Sequence, residues 1–211
     1  MSSDAQPYLG VHDGDEVEET KERLRTLVRH QRLARSTRRR AEAAEALAEV
    51  VESIPAVAQA RCVSVYASRP TEPGTDVLLE RLAARGVRVL LPVLGSGLQR
   101  GWAEYAGPQD LHQRAPGRPP EPGTEPLGAE ALADAEVVVA PALAVDTVGT
   151  RLGQGGGWYD RALVHARPGT PVVALVFPEE LYDAALRPLP REPHDLPVDV
   201  VATPERWQPL R

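Results

Sequence analysis

The sequence is poor in cysteine, in aromatic residues and in long apolar runs. Its one cysteine, Cys62, cannot form an internal disulfide, and a lone thiol in an apolar segment fits a reducing cytoplasm. Aromatic residues make up 4% of the chain, and no apolar run approaches the roughly 18 residues that a membrane-spanning helix needs. The amino-terminal residues show no basic segment followed by an apolar one, so no secretory signal is predicted. We therefore expect a soluble cytoplasmic protein without a membrane partner.

The formal net charge is −6, which disfavours a general nucleic-acid binder. Positive charge is nevertheless concentrated in one amino-terminal stretch, in Lys21, Arg23, Arg25, Arg29, Arg32, Arg35, Arg38, Arg39 and Arg40. This stretch lacks the interleaved aromatic residues of a nucleic-acid site, so we expect no nucleic-acid partner. We interpret most of these side chains as a solvated helix face, with Lys21 and Arg25 as the exceptions.

The length of 211 residues favours one domain. Residues 1–16 are polar and acidic without periodicity, which predicts a disordered tail, and residues 17–211 are predicted to form a single α/β domain. Two helices come first, and Ser36 is placed to cap the second. The segments CVSVYA, TDVLLERLAARG and VRVLLPV then predict a strand, a helix that ends near Gly86, and a strand. This order predicts a mostly parallel sheet with helices on both faces.

The second half of the chain continues the strand and helix alternation. Residues 95–128 are rich in proline and glycine, with GWAEYAG as a predicted edge strand. The run AEVVVAPALAV predicts one buried strand, and a glycine-rich loop, the helix WYDRALVHA and the strands TPVVALVF and PVDVVATP follow. Ligands of open parallel sheets bind beyond the carboxyl ends of the strands. The polar segments ASRPTEPG and GTRLGQGGGWYD each follow a strand, so we expect them to meet in one crevice.

The glycine-rich loop GTRLGQGGGWYD carries the strongest functional signal. Glycine permits positive φ and leaves backbone N–H groups unshielded, which is the geometry of an anion-binding nest. The loop leads into a predicted helix whose amino end favours negative charge, and Arg151 offers a bidentate phosphate donor. A turn that needs glycine only for packing is the alternative. The combination of features favours a phosphate site.

Two common phosphate-binding motifs are absent from the sequence. The Walker loop needs Gly-Lys followed by Ser or Thr, and the chain contains no Gly-Lys. The dinucleotide fingerprint needs a glycine three residues after its second glycine, but Trp158 stands three residues after Gly155. That fingerprint also opens the first strand and helix of its domain, whereas this loop lies late in the chain. A nicotinamide-dependent enzyme is therefore disfavoured.

Two carboxylates are candidates for a metal site. Asp160 is expected in the first turn of a helix, and Asp199 lies in an otherwise apolar strand, where an unpaired charge is costly. Carboxylates beside a phosphate nest suit Mg²⁺, although an acid that complements the helix dipole needs no ligand. Trp158 and Tyr159 offer flat faces for a heterocycle, while packing is the commoner role of such residues.

At these residues the chain resembles the 5-formyltetrahydrofolate cyclo-ligase family, also called methenyltetrahydrofolate synthetases. The resemblance extends from Lys21 to Glu205 and rests on four motifs in the expected order, KERLR, TEPGT, GTRLGQGGGWYDRAL and HDLPVDVVATPE. The chain departs from the usual pattern at Trp158, where tyrosine is commoner, at Gln154, where some members carry a basic residue, and within TEPGT.

The resemblance implies a Rossmann-like fold of the NagB/RpiA/CoA-transferase type and a monomeric enzyme. It implies ATP- and Mg²⁺-dependent cyclisation of 5-formyltetrahydrofolate, with or without a polyglutamate tail, to 5,10-methenyltetrahydrofolate, with release of ADP and phosphate. In that reaction the formyl oxygen attacks the γ-phosphate, and N10 closes the ring as phosphate leaves. Positioning and charge neutralisation are expected to dominate such catalysis, as in other phosphoryl transfers.

The resemblance also implies roles for particular residues. Lys21, Arg25 and Arg151 would act on the phosphates, Glu72 would bind the folate, and Asp160 and Asp199 would hold the metal. The nucleotide loop would consist of Arg151, Leu152, Gly153, Gln154, Gly155, Gly156, Gly157, Trp158 and Tyr159. Of these residues, Trp158 and Tyr159 would also face the folate. The residues themselves support one part of this assignment. Lys21 and Arg25 are four residues apart on one predicted helix, which places both cationic groups over the same site.

Two alternatives stay open at this point. One is a paralogue on the same fold that binds ATP or another anionic ligand without cyclising a folate, as the residues at Gln154 and in TEPGT would allow. The other is a nucleic-acid or partner-binding module that uses the basic amino-terminal helices, which the net charge disfavours.

Overall fold

The computed structural model describes residues 6–8, 16–94 and 100–210. The α-helices are α1 (Val17–Leu33), α2 (Thr37–Glu52), α3 (Pro55–Gln59), α4 (Asp76–Ala84) and α5 (Trp158–Ala162). The strands are β1 (Cys62–Ser64), β2 (Arg88–Val93), β3 (Gly101–Glu104), β4 (Leu111–His112), β5 (Glu121–Pro122), β6 (Val137–Pro141), β7 (Ala144–Asp146), β8 (Arg151–Leu152), β9 (Val172–Leu175), β10 (Leu181–Tyr182), β11 (Val200–Ala202) and β12 (Trp207–Pro209). Short 3-10 turns cover Pro108–Asp110, Ala129–Asp134, Leu163–His165 and Pro178–Glu180. Among the described residues, no helix is both long and apolar enough to cross a membrane.

Seven strands form the central sheet in the order β12-β11-β9-β6-β1-β2-β3. The five inner strands pair in parallel, and the edge strands β3 and β12 run antiparallel to their neighbours. Strands β10, β7 and β8 form a second sheet, and β4 pairs with β5. The predictions of a mostly parallel sheet and of an edge strand in GWAEYAG are confirmed.

Alternating side chains of the inner strands pack into two different cores. Val63 and Val89 belong to a core shared with α2, α3 and α4. Their chain neighbours Cys62 and Leu90 face the other side, in a core shared with α5 and the 3-10 turns around it. Both faces of the sheet are therefore covered by helices, which is the condition for an apolar parallel sheet and was predicted.

Local capping signals in the sequence are also confirmed. The Ser36 hydroxyl accepts a hydrogen bond of 3.3 Å from the Arg39 N–H, so Ser36 caps the amino end of α2. At the end of α4 the chain turns through Gly86, whose φ of 75° lies in the left-handed region that glycine tolerates.

The run AEVVVAPALAV forms two strands, so the prediction of one strand is wrong. Strand β6 ends at Pro141, which has no N–H to continue the ladder, and β7 begins at Ala144 in the second sheet. There β7 pairs antiparallel with β8, which sets Val145 opposite Arg151. This break in the expected strand places the start of the glycine-rich loop beside the end of β6.

The predicted disordered tail, residues 1–16, lies mostly outside the described residues. Within residues 6–8, the Gln6 amide donates to two backbone carbonyls at 3.0 and 2.8 Å, those of Glu179 and Leu181 beside and in β10. The Tyr8 ring lies 6.4 Å from that of Tyr182. These three residues are held against the domain, unlike the free tail that was expected there.

Candidate active site

A pocket lies at the carboxyl ends of β1, β2 and β6, where the sequence predicts a crevice. Every residue to which the sequence assigns a site role, except Asp199, lines it. The lining residues are Glu18, Lys21, Arg25, Tyr66, Ala67, Arg69, Glu72, Pro92, Leu94, Pro119, Pro120, Pro141, Arg151, Leu152, Gly153, Gln154, Gly155, Gly156, Gly157, Trp158, Tyr159, Asp160, Glu192, His194 and Asp195. The polar segments that follow β1 and β7 therefore meet in one pocket, as predicted.

Lys21 reaches the pocket from the buried face of α1. Its Nζ lies 2.7 Å from a Glu192 oxygen and 2.6 Å from an Asp195 oxygen, and 5% of its side chain is exposed. Burial alone would lower the pKa of Lys21, but the hydrogen bonds and charges of Asp195 and Glu192 outweigh it, so the pKa is raised. Lys21 is the only lysine of the sequence. A permanent ammonium group therefore stands at one wall of the pocket.

Arg25 lies one turn further along α1 and binds the glycine-rich loop. Its Nε donates to the Gly153 carbonyl at 3.1 Å, and its Nη1 donates to Glu18 at 2.7 Å and to Glu22 at 3.1 Å. Lys21 and Arg25 thus project into one pocket, as their spacing predicts. Both are held by acids that a phosphate could displace.

Burial divides the other basic residues of this stretch. Arg23, Arg38 and Arg39 are exposed, as a solvated helix face requires. Arg32 is 2% exposed, and its guanidinium donates to both Glu180 oxygens at 2.7 Å, so the expectation of a solvated side chain is wrong for this residue. This buried pair anchors α1 to the turn before β10.

The glycine-rich loop uses left-handed backbone at Gly149, which has a φ of 87°, and at two positions closer to α5. Gly155 has a φ of 99°, and Gly157, which precedes α5, has a φ of 56°. A Cβ on Gly155 would lie 3.4 Å from the Arg25 guanidinium carbon, whereas one on Gly156 would meet nothing within 4 Å. The helix after the loop is only five residues long, so its dipole adds less to anion binding than the predicted longer helix would. Charge in this pocket comes mainly from side chains.

Arg151 and Asp160, near the two ends of the loop, are joined by a hydrogen bond. Arg151 Nη2 donates to Asp160 Oδ1 at 2.9 Å, and the Leu196 N–H donates to the same oxygen at 3.3 Å. Among the described residues, the buried atoms Arg151 Nε, Trp158 Nε1 and Tyr159 OH have no hydrogen-bond partner. Burial raises the pKa of Tyr159 despite the nearby Arg151 cation, so its hydroxyl stays neutral and can donate. The three residues that carry these unsatisfied donors all line the pocket, and the donor atoms themselves are buried in its wall.

Glu72 contacts the loop at Gln154, lines the pocket and is 7% exposed. Its carboxylate accepts from Arg69 Nη2 at 2.7 Å, from the Arg69 N–H at 2.9 Å and from Gln154 Nε2 at 2.9 Å. The segment around it is held by Thr75, whose hydroxyl donates to the Tyr66 carbonyl at 2.6 Å. Proline and glycine in TEPGT therefore leave Glu72 well fixed.

Asp199 does not join Asp160, which corrects the predicted metal pair. Asp199 immediately precedes β11, at the amino end of that strand, and its Oδ2 accepts the Val172 N–H at 2.9 Å. The pocket lies at the opposite, carboxyl ends of the parallel strands. The cost of a carboxylate in an apolar strand is met here by a backbone hydrogen bond, so the position of Asp199 needs no metal.

Besides the predicted Glu72 and Asp160, the pocket is lined by three acids that sequence reasoning missed, Glu18, Glu192 and Asp195. One oxygen or nitrogen atom from each of Glu192, His194 and Asp195 lies within 4.8 Å of the others. Asp195 belongs to the same HDLPVD motif as Asp199, four residues earlier, so this motif was the available signal for an acid at the pocket. Because the Leu196 N–H bonds to Asp160, the Asp195 segment packs beside Asp160.

Of the apolar wall of the pocket, sequence reasoning predicted only Trp158. The wall consists of Pro92, Leu94, Pro119, Pro120 and Trp158. The Trp158 ring packs edge-on against Trp102, 5.2 Å between centroids, so the wall is supported from behind. Part of the proline-rich connection therefore has a place at the site, which its composition alone did not show.

Comparisons with known proteins identify the family of the chain. The model of the 5-formyltetrahydrofolate cyclo-ligase family matches residues 17–204. The chain belongs to this family. It is 42% identical over 153 residues to the 5-formyltetrahydrofolate cyclo-ligase of Mycolicibacterium smegmatis, which covers 69% of this chain and 75% of the relative. It is 30% identical over 186 residues to the Escherichia coli K12 5-formyltetrahydrofolate cyclo-ligase, with 86% of this chain and 100% of the relative covered.

Solved structures of the cyclo-ligase family share the fold. The Aquifex aeolicus 5,10-methenyltetrahydrofolate synthetase matches with a TM-score of 0.75 and 27% identity, over 90% of this chain and 93% of that one. The Mycoplasma pneumoniae 5,10-methenyltetrahydrofolate synthetase matches with a TM-score of 0.67 and 17% identity, over 87% and 98%. The predicted family, the α/β fold and the prediction of an enzyme are confirmed.

Proposed function

We propose that this cyclo-ligase family member converts 5-formyltetrahydrofolate to 5,10-methenyltetrahydrofolate, consumes ATP with Mg²⁺, and releases ADP and phosphate. The observation that carries the proposal is the convergence of Lys21, Arg25 and Arg151 on one glycine-rich loop, in a pocket that Glu72 also lines. Such a pocket can bind a polyphosphate on one side and an N–H-rich heterocycle on the other. We further propose that the protein acts as a cytoplasmic monomer and accepts folates with or without a polyglutamate tail.

Lys21, Arg25 and Arg151 would neutralise the phosphates of the nucleotide. When a phosphate enters, Lys21 and Arg25 exchange carboxylate partners for phosphate oxygens, and Arg151 offers its unsatisfied Nε. Tyr159 OH and Trp158 Nε1 add two neutral donors beside it. These residues hold both substrates in place, which is the main contribution a protein makes to phosphoryl transfer.

Asp160 and Asp195 are the acids whose positions fit Mg²⁺. Both line the pocket, and Glu192 lies next to Asp195. Carboxylate oxygens beside a phosphate site are the donor set that this ion prefers. When bound, Mg²⁺ supplies charge neutralisation of the phosphate oxygens. The hydrogen bonds from Arg151 Nη2 and from the Leu196 N–H both end on Asp160 Oδ1. Asp160 could therefore bind the ion through Oδ2 and keep its bond to Arg151.

In the proposed reaction, the formyl oxygen attacks the γ-phosphorus and the bond to ADP breaks. N10 then attacks the activated formyl carbon, the carbon–oxygen bond breaks, phosphate leaves with the formyl oxygen, and N10 loses its proton. Glu72 would hold the folate so that N10 and the formyl carbon are adjacent. The buried, apolar side of the pocket would exclude water that could otherwise take the phosphoryl group.

The test is the absorbance of the methenyl product after purified protein is mixed with 5-formyltetrahydrofolate, Mg²⁺ and ATP. We expect product only when ATP is present, with one ADP formed for each molecule of product. Folded protein that binds ATP but forms no product would refute the cyclisation and favour a paralogue that binds nucleotide alone.

A further inference from the structure

Gln154 connects α1, the glycine-rich loop and the folate side of the pocket. Its Nε2 donates to Glu72 Oε1 at 2.9 Å. Its own Oε1 accepts a longer bond of 3.4 Å from Arg29 Nε, and its backbone carbonyl accepts from Arg29 Nη2 at 2.9 Å. Arg29 is in turn held by Glu22 at 3.1 Å. A continuous set of hydrogen bonds therefore runs from the helix of Lys21 and Arg25 to Glu72.

Charge determines which way the Gln154 amide points. Its oxygen faces a guanidinium and its nitrogen faces a carboxylate. The reverse orientation would set N–H against N–H at Arg29 and oxygen against oxygen at Glu72. The side chain is thus committed to these two partners, although its position in the loop had assigned it to the nucleotide.

The hydrogen bonds of Glu72 leave room for a ligand at one of its oxygens. A carboxylate offers about four acceptor positions. Oε1 uses two of them, for Arg69 Nη2 and Gln154, and Oε2 uses one, for the Arg69 N–H. Gln154 supplies the only one of these three donors that comes from outside residues 69–72. Without it, Oε1 would regain an open position and the carboxylate would lose its link to the loop.

We propose that Gln154 is a positioning residue for folate recognition. It fixes the Glu72 carboxylate so that Oε2 presents its remaining acceptor position to an N–H group of the folate, and Arg29 holds Gln154 in place. This inference rests on the proposed function, in which Glu72 binds the folate. It assigns the Gln154 side chain to the folate and not to the phosphates.

The test compares Gln154→Ala and Gln154→Glu. Both remove the donor to Glu72, but Gln154→Glu keeps an acceptor for Arg29 and adds a second carboxylate against Glu72. We expect the KM for 5-formyltetrahydrofolate to rise about 3- to 10-fold in Gln154→Ala and further in Gln154→Glu, while the KM for ATP stays within about twofold. In Gln154→Glu the folate KM is also expected to improve as pH falls, because a protonated glutamate donates again. Gln59→Glu, at an exposed position of α3, controls for the change in net charge.

Two outcomes would overturn the inference. In one, Gln154→Glu binds the folate as well as Gln154→Ala or better, so that the side chain serves only Arg29 and the loop. In the other, the KM for 5-formyltetrahydrofolate and the KM for ATP of the Gln154 variants rise by the same factor. If Gln154→Glu does not fold, a double-mutant cycle replaces it, made from Arg29→Ala, Gln154→Ala and the double variant. The effects of the two single changes on the folate KM must then be less than additive.

Failure of the proposed function gives a different result. Wild-type protein would then form no ATP-dependent product, whatever the variants do. Calorimetric titration with 5-formyltetrahydrofolate needs no turnover, and it still measures whether Gln154→Glu weakens folate binding more than Gln154→Ala does. Equal affinities in that titration would reject the role of Gln154 on its own.

Discussion

Replacement of Lys21 by methionine tests the phosphate assignment most directly. Methionine keeps much of the side-chain length and removes the ammonium group that lies 2.7 Å from Glu192 and 2.6 Å from Asp195. In the free protein, the variant removes the ammonium group from Glu192 and Asp195 and leaves His194 Nε2, 3.9 Å from each carboxylate, as their neighbouring basic group. In the proposed complex, it removes one cation from the phosphates.

The size of each effect follows from these contacts. A hydrogen bond to a charged group contributes about 1.5–3 kcal/mol, but Lys21 must give up carboxylates to bind phosphate, so we expect a net loss of about 1–3 kcal/mol in ATP use. This corresponds to a fall of roughly 5- to 150-fold in kcat/KM for ATP. Breaking a fully buried pair costs about 3–5 kcal/mol of unfolding free energy. The side chains of Glu192 and Asp195 are 30% and 16% exposed, so about 1–3 kcal/mol is expected here.

The dependence of this stability on pH has a definite sign. The pKa of Asp195 lies below its ordinary 3.8, because backbone and Lys21 hydrogen bonds outweigh the effect of burial, so its contribution is present above that pH and is lost as pH falls through the lowered value. The pKa of Lys21 lies above its ordinary 10.5, so its contribution is present below that pH and is lost as pH rises through the raised value. The free energies of unfolding of wild type and Lys21→Met should therefore differ by a constant amount between these two pH values and converge outside them.

The assays are the rate of methenyl product formation at varied ATP and the midpoint of urea unfolding at several pH values. Arg23→Met is the matched control, since it makes the same charge change on the exposed face of the same helix. It should alter stability by less than about 0.5 kcal/mol and leave ATP kinetics unchanged. A Lys21→Met enzyme whose kcat/KM for ATP equals that of Arg23→Met would refute the phosphate assignment.

Two further predictions concern the acids and the glycines. Asp160→Asn and Asp195→Asn should each raise the Mg²⁺ concentration needed for half-maximal activity, whereas Asp199→Asn, outside the pocket, should not. A Mg²⁺ titration of the three variants decides this. Effects of Asp160→Asn and Asp199→Asn without an effect of Asp195→Asn would restore the original pair. Gly155→Ala should lower the free energy of unfolding by about 1–2 kcal/mol, because its φ of 99° is strained for any residue with a Cβ. Gly156→Ala, with nothing within 4 Å of the new methyl, is the control in the same thermal melts, and equal melting temperatures would show that the loop relaxes without cost.

Much of this fold could be predicted because its signals lie between chain neighbours. The alternation of Val63 and its neighbours between two faces, the cap at Ser36 and the turn at Gly86 are each decided within a few residues. The same local reasoning failed at AEVVVAPALAV, whose continuous apolar character hides the fact that β6 and β7 belong to different sheets. Apolarity reports burial, and it does not report which sheet a strand joins.

The sequence by itself determined the parallel sheet, the glycine-rich loop after a strand, and the pair Lys21 and Arg25 on one helix face, since all of these follow from spacing along the chain. Only the tertiary structure decided which charges meet. Lys21 pairs with Asp195 across 174 positions of sequence, and Gln154 reaches Glu72 across 82. Asp195 and Asp199 belong to one motif, yet one lies at the pocket and the other is bound to a backbone N–H at the far end of the sheet. The partner of a carboxylate is set by what packs against it in space, and four residues along the chain are enough to carry it from one end of a strand to the other.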